Sequence, residues 1–123
     1  MPHTATCHCG AARVEVDRLP DWVGSCNCTW CSRSGGLWGY YKPEEVRVLA
    51  APTSVYAPGG LNEHHFCGAC SGMMFNYGPA WTQENATSGG IPTARQHGLN
   101  MRMIDEDAAR ALPVVEMDGR HGW

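Results

Sequence analysis

The stretch "CHCGAARVEVD", residues 7–17, combines two patterns from which the fold prediction starts. Its second half alternates Val14 and Val16 with charged residues, which is the two-residue period of a half-buried β-strand. Its first half carries Cys7 and Cys9, and residues two apart on an extended segment project to the same face. The stretch therefore predicts a strand next to a pair of sulfurs that can converge on one ion.

Short strand-like segments recur along the rest of the chain, separated by turn-rich pieces such as "APGGLN" at 57–62. Their spacing predicts an all-β fold of antiparallel sheets with few short helices. Residues 82–98 lack periodicity and are expected to form a long loop. Two short helices are expected at 42–46 and 105–112. Besides the strand at 11–17, the predicted strands are residues 21–26, 37–41, 46–49, 53–57, 64–67, 73–77 and 99–104.

Length and composition limit the function classes. The chain has 123 residues, 43% of them hydrophobic, which suits one domain over residues 1–123. A net charge of -3 without a run of Lys or Arg argues against nucleic acid and anionic membranes as partners. The first residues have no signal-peptide pattern, and no segment approaches the roughly 20 apolar residues of a membrane span. A cytoplasmic protein is expected.

The cysteines carry the strongest functional signal. Disulfides favour an oxidising compartment and an even number of cysteines, whereas this chain has seven and no secretory signal. In a reducing compartment, clustered thiols more often bind metal, and zinc prefers thiolate ligands. They fall into four outer cysteines, at Cys7, Cys9, Cys67 and Cys70, and three central cysteines, at Cys26, Cys28 and Cys31.

Two arrangements of these thiols are open. In the first, the outer cysteines form a closed four-thiolate zinc site and the central cysteines form a three-thiolate site. In the second, the central cysteines contribute to the closed site and the others are dispersed. The first arrangement keeps each local cluster together and ties the N-terminal strand to a turn some sixty residues away. It also leaves one coordination position free, which distinguishes catalytic from structural zinc.

Several motifs together resemble the glutathione-dependent formaldehyde-activating family, which is related to the centromere protein V group. The resemblance implies antiparallel β-sheets in a tent-like or sandwich-like arrangement, with structural zinc on the outer cysteines. It also implies a second zinc on the central cysteines that accepts the thiol of glutathione. Asn27 and Thr29 depart from the His and Ser common in the family's central motif. The motifs are "CHCGAARVEV" at 7–16, "CNCTWCSR" at 26–33, "HFCGAC" at 65–70, "LNMRMID" at 99–105 and "MDGRHGW" at 117–123.

The resemblance implies a carbon-sulfur lyase that forms or cleaves S-(hydroxymethyl)glutathione from glutathione and formaldehyde. The catalytic group would be the central cysteines, Cys26, Cys28 and Cys31. Three thiolates leave a zinc centre with a formal charge near -1, which weakens its attraction for a fourth anion. Arg33 is the best-placed cation in the sequence and is expected to assist thiol binding. The alternatives are a non-catalytic zinc module that binds glutathione or a protein partner, and a redox sensor that loses zinc on oxidation.

Neighbouring histidine and aromatic residues have structural as well as functional interpretations. His64 and His65 are expected to point to opposite faces of a strand, so that at most one reaches a given site. The aromatic residues near the central motif can wall a pocket or fill the core. They are Trp30, Trp38, Tyr40 and Tyr41.

Overall fold

The computed structural model describes residues 2–81 and 90–122. These residues form ten strands and a few short helices. The strands are β1 His3–Thr6, β2 Arg13–Val16, β3 Val23–Cys26, β4 Trp38–Tyr41, β5 Val46–Ala50, β6 Ser54–Tyr56, β7 Glu63–Phe66, β8 Met73–Pro79, β9 Arg95–Asn100 and β10 Val114–Met117. The helices are α1 Thr29–Ser34, α2 Asp107–Arg110 and α3 Gly119–Gly122, with 3-10 helices at Pro43–Glu45 and Met101–Met103.

The strands form two sheets. One has the order β1-β2-β5, and the other has the order β10-β3-β4-β9-β8-β7-β6. Neighbouring strands are antiparallel except β10, which runs parallel to β3 at the edge of the larger sheet. The predicted all-β class is confirmed. The parallel pair was not expected, because it joins segments that are almost ninety residues apart in the chain.

The core lies between the two sheets. Val14 and Val16 of β2 are fully buried and belong to one apolar cluster with Phe75 of β8 and Leu99 of β9. The alternation at residues 11–17 therefore predicted the correct face of β2, although the strand itself begins at Arg13. The larger sheet covers the core with the face that carries Phe75 and Leu99. Its opposite face is left to form a binding surface.

The extended segment predicted at Cys7 and Cys9 is wrong. Both cysteines follow β1 in a turn, where the N–H of Gly10 donates to the Cys7 carbonyl over 3.0 Å. Gly10 has φ +83°, a left-handed conformation that glycine adopts without strain. The turn, and not strand alternation, brings the two sulfurs to one side.

The predictions for residues 82–104 were also partly wrong. β9 covers Arg95–Asn100, so the expected loop ends before Arg95 and the strand predicted at 99–104 gives way to a 3-10 helix. Residues 82–89 of the expected loop lie outside the described residues. Asn100 causes the change, because its side-chain oxygen accepts from the N–H of Arg102 over 3.2 Å and caps the 3-10 helix.

The helix predictions were right in place but not in extent. The segment at 42–46 forms the 3-10 helix Pro43–Glu45, and 105–112 contains only the four residues of α2. Helices α1 and α3 were not predicted. In the part of the chain that the structure describes, every helix is too short to span a bilayer.

Asn100 is expected to be a major source of stability. It is 2% exposed, its amide donates to the Met73 carbonyl over 2.9 Å, and its oxygen accepts from the N–H groups of Leu37 and Arg102. Asn100→Leu should lower the free energy of unfolding by about 2–4 kcal/mol, because buried partners lose their hydrogen bonds. Urea unfolding measures this loss. Asp105→Ala, at a side chain that is 90% exposed, is the control and should change stability by less than about 0.5 kcal/mol. An equal effect of both variants would contradict the role of Asn100.

Candidate metal centre and cavity

The four outer cysteines come together in space. Their sulfurs all lie within 4.8 Å of one another. The Sγ atoms of Cys7 and Cys9 are 3.7 Å apart, and those of Cys9 and Cys67 are 3.6 Å apart. Four sulfurs at about 2.3 Å from a tetrahedral zinc would be separated by about 3.8 Å. The outer cysteines can therefore hold zinc without a large rearrangement.

A tight turn presents Cys67 and Cys70 to the other pair. The N–H of Ser71 donates to the Cys67 carbonyl over 2.8 Å, and Ser71 has a left-handed φ of +64°. A Cβ atom at Gly72 would lie 3.0 Å from Cβ of Cys7, so glycine at this position permits the close approach of the two turns. Two turns distant in the chain thus form one cluster.

Backbone N–H groups point at these sulfurs, as thiolate ligands require. The N–H of Ala12 donates to Sγ of Cys7 over 3.3 Å. The pKa of Cys70 is lowered to about 6, because the N–H groups of Cys9 and Gly72 donate toward its sulfur. Four adjacent thiolates repel one another, so complete deprotonation is stable only around a cation. The chemistry of this donor set fits a zinc ion.

The three central cysteines form a second cluster. Their sulfurs also lie within 4.8 Å of one another. Cys26 ends β3, Cys28 caps the N-terminus of α1, and Cys31 lies in its first turn. The N–H of Cys28 donates to Sγ of Cys26 over 3.4 Å, and the N–H of Cys31 donates to Sγ of Cys28 over 3.3 Å. These hydrogen bonds from backbone N–H groups at the start of the helix therefore also orient the sulfurs. The central cluster can hold zinc as well.

The thiol pKa values of Cys28 and Cys31 are shifted in opposite directions. Burial raises the pKa of Cys28, but the N–H of Cys31 and the neighbouring thiols outweigh it, so that this pKa is lowered overall. Burial and the adjacent Cys28 raise the pKa of Cys31. As in the outer cluster, a cation is needed before all three can be thiolates together.

Hydrogen bonds connect the C-terminal segment to Asn27, which lies between Cys26 and Cys28. The side-chain amide of Asn27 donates to Asp118 over 2.9 Å, and its oxygen accepts from the N–H of Arg120 over 2.9 Å. The N–H of Asn27 donates to the Met117 carbonyl over 3.1 Å. Sequence reasoning missed this contact. The signal available was an amide side chain placed between two ligand candidates.

A cavity of about 840 Å³ opens beside the central cysteines. All three central cysteines line it, and none of the outer cysteines does. The other described residues around it are Trp22, Trp30, Trp38, Tyr40, Asn62, His64, Asn76, Gly78, Pro79, Trp81, Gln96, Gly98 and Met117. The two cysteine clusters thus differ in access to this cavity, because the described lining includes the central cysteines and not the outer ones.

A row of residues across the larger sheet forms one wall of the cavity. Tyr40, Gly98, Asn76 and His64 are direct cross-strand neighbours on β4, β9, β8 and β7. Nδ1 of His64 lies 2.6 Å from the side-chain oxygen of Asn76, and Trp30 stacks on the imidazole at 4.0 Å between ring centroids. Because an amide oxygen only accepts, Nδ1 of His64 donates in this contact, and Nε2 remains for a second hydrogen bond.

The two adjacent histidines lie on opposite faces, as predicted. His64 lines the cavity, whereas His65 stacks on Phe75 at 4.5 Å on the core side. Nε2 of His65 also lies 2.9 Å from Glu63. Strand alternation therefore leaves only one histidine of the pair available to the central cysteines.

The aromatic residues near the central motif divide between the two expected roles. Trp30, Trp38 and Tyr40 line the cavity, although Trp38 is only 1% exposed. Tyr41 points into the core, and its hydroxyl donates to the carbonyl of Arg18 over 2.9 Å. Alternation along β4 separates the neighbouring tyrosines.

Arg33 lies on the exposed side of α1. Its guanidinium donates to the carbonyl of Thr29 over 2.9 Å, and it is not among the residues that line the cavity. Its contact with a bound thiol stays a prediction. Within residues 2–81 and 90–122, no Lys, Arg, Asp or Glu side chain lines this space.

Comparison with known proteins gives a family match and a similar solved structure. The model of a family described as glutathione-dependent formaldehyde-activating enzyme matches residues 2–97, a range that includes both cysteine clusters. The chain is also similar to a Rhodobacter sphaeroides protein whose crystal structure was a Northeast Structural Genomics target. The TM-score is 0.63 at 22% sequence identity, covering 94% of this chain and 100% of the other. At this identity the structural likeness concerns the fold alone.

Proposed function

Because the chain belongs to the glutathione-dependent formaldehyde-activating enzyme family, we propose that it forms or cleaves S-(hydroxymethyl)glutathione as a carbon-sulfur lyase. In this proposal residues 1–123 act as one domain, the outer cysteines hold a structural zinc, and the central cysteines hold a second zinc. The observation that carries it is that only the central cluster opens onto the cavity of about 840 Å³.

In the outer cluster zinc would stabilise the fold, whereas in the central cluster zinc would bind the substrate thiol. The three central cysteines would hold the second zinc, which would supply an open position for a substrate thiol as its thiolate. The chain's own contribution is to hold the three sulfurs together through the N–H groups of Cys28 and Cys31. The aromatic side chains around the cavity supply apolar walls beside the reacting atoms.

The proton released by the thiol needs an acceptor within the cavity. His64 suits this role, since Asn76 fixes its tautomer and leaves Nε2 free to accept. In the forward reaction the carbon-sulfur bond forms, and the thiol proton ends on the carbonyl oxygen of formaldehyde. The reverse reaction returns that proton to sulfur. No oxidant or reductant is required.

Metal analysis with glutathione titration tests the proposal. Two zinc ions and one bound glutathione per chain are expected. One zinc without glutathione binding would contradict the open site. In a second assay, formaldehyde consumption should saturate above the rate of a zinc-free sample of the same protein. A rate equal to this blank, with glutathione still bound, would favour the non-catalytic binding module and overturn the lyase.

A further inference from the structure

The cavity beside the central cysteines is much larger than formaldehyde requires. Its volume of about 840 Å³ is within the range of pockets that take complete small-molecule ligands, roughly 300–1,000 Å³. Formaldehyde has two heavy atoms, comparable in size to a water molecule of about 30 Å³. The cavity therefore has room for a further group on the thiol or on the aldehyde.

The charged ends of glutathione are poor candidates for that group. Glutathione carries two carboxylates and an ammonium at neutral pH, and a buried charge without a partner is strongly unfavourable. Among residues 2–81 and 90–122, the cavity lining includes His64 and the three central cysteines but no Lys, Arg, Asp or Glu. The polar side chains from these residues are otherwise amides, cysteine thiols and ring N–H or hydroxyl groups, which favour neutral partners.

The walls are instead suited to an aromatic ring. Five large aromatic side chains line the space: Trp22, Trp30, Trp38, Tyr40 and Trp81. Trp22 and Trp81 are 39% and 38% exposed, and a bound apolar group would reduce this exposure. Flat rings also gain from stacking and edge contacts with one another.

We propose that this chain prefers bulky, uncharged aromatic aldehydes to formaldehyde, with the aromatic ring held among the tryptophans of the cavity. This inference rests on the proposed function. The thiol sulfur adds to the aldehyde carbon, and the thiol proton moves to the aldehyde oxygen, giving a hemithioacetal with no new charge. The step is the same as with formaldehyde and involves no redox change, and only the group on the carbonyl carbon differs.

Gly98 keeps the wall of the cavity open. It lies between Tyr40 and Asn76 in the row across the sheet. A Cβ atom at this position would meet Tyr40, Asn76 and Trp38 at 3.6–3.7 Å, which is ordinary van der Waals contact. A larger side chain can therefore be accommodated by the strand while it occupies space that an aromatic substrate would use.

The test compares aldehydes with the zinc-loaded protein and glutathione. The probes are formaldehyde, benzaldehyde, 2-naphthaldehyde and the charged analogue 4-carboxybenzaldehyde. Acceleration over each spontaneous rate should be at least about 10-fold greater for the neutral aromatic aldehydes than for formaldehyde. The acceleration of 4-carboxybenzaldehyde should be at least about 10-fold lower than that of benzaldehyde, since its carboxylate has no cationic partner among the described lining residues. Equal acceleration of all four would overturn the inference.

A binding measurement separates this inference from the proposed function. Quenching of tryptophan fluorescence by 2-naphthalenemethanol, a neutral unreactive analogue, should give saturable binding even if turnover is absent. Loss of glutathione binding with retained binding of the analogue would count against the proposed function alone. Glutathione binding and formaldehyde turnover without binding of the analogue would overturn this inference alone.

Gly98→Val provides the matched structural test. It should lower the ratio of naphthaldehyde to formaldehyde acceleration at least about 10-fold. Gly59→Val is the control, because a Cβ atom at Gly59 meets nothing within 4 Å and its φ is not positive. An unchanged ratio in folded Gly98→Val would contradict the assignment of the aromatic subsite. If that variant does not fold, Gly98→Ala gives the same test with a smaller expected change.

Discussion

Cys67→Ser is expected to remove zinc from the outer cysteines and most of the stability of the fold. Cys67 is 0% exposed, and its sulfur lies 3.6 Å from Cys9, 58 residues earlier in the chain. Structural zinc sites contribute apparent binding free energies of about 10–16 kcal/mol, whereas a domain of this kind is stable by only about 5–15 kcal/mol. The variant should therefore melt at least about 10 °C lower or fail to fold at 25 °C.

Thermal melting followed by circular dichroism, with zinc content measured on the same samples, tests this prediction. The matched control is Cys28→Ser, which removes one thiol from the central cluster instead. A chelator added to the wild-type protein should reproduce the effect of Cys67→Ser, because both remove the same link between turns. A Cys67→Ser protein with the wild-type melting temperature and zinc content would show that the outer cysteines are not a structural metal site.

The sequence predicted the elements that depend on local patterns. Val14 and Val16 alternate with charged residues because β2 has one buried and one exposed face, and this face is the one observed. The same alternation correctly placed His64 and His65 on opposite faces. Such predictions succeed because successive side chains of a strand must point in opposite directions.

Features that depend on tertiary contacts were not predicted. α1 has a cysteine as its N-cap and Gly35 with φ +70° as its C-cap, and Cys28 had been interpreted only as a metal ligand. β10 pairs with β3, although the paired residues Val114 and Val23 are far apart in the chain, and no local pattern indicates this pairing. The exposed position of Arg33 also follows from the direction of α1 and not from its distance in sequence to the cysteines.

The candidate site was also predicted in part from the sequence. Spacing left two arrangements of the cysteines open, and the family resemblance implied the two clusters that the structure brings together. The cavity could not be foreseen, because it depends on the register that aligns Tyr40, Gly98, Asn76 and His64 on four strands. Register is set by long-range pairing and by irregularities such as the shift at His65 and Phe66, which a single sequence does not reveal.

Cys28→Ser is expected to remove one zinc equivalent and glutathione binding while the protein remains folded. Cys28 has two separable roles, because its sulfur belongs to the central cluster and also accepts the N–H of Cys31 at the start of α1. Serine is among the best N-cap residues and can keep this hydrogen bond. Its hydroxyl is not ionised at neutral pH and is a poor zinc ligand, so the metal site should be lost although the helix is kept.

Glutathione affinity should fall at least about 100-fold in Cys28→Ser, since loss of a direct ligand exceeds the 10–100-fold effect of changing a residue behind one. Calorimetric titration and metal analysis of the same preparation measure both losses, and a circular dichroism spectrum like that of the wild type verifies the fold. Ser32→Ala is the control within α1, because its hydroxyl donates only to the Thr29 carbonyl and contacts none of the central sulfurs. If Cys28→Ser lost one zinc yet bound glutathione as before, the thiol would be held away from the central cysteines, and their open position would have no role in binding it.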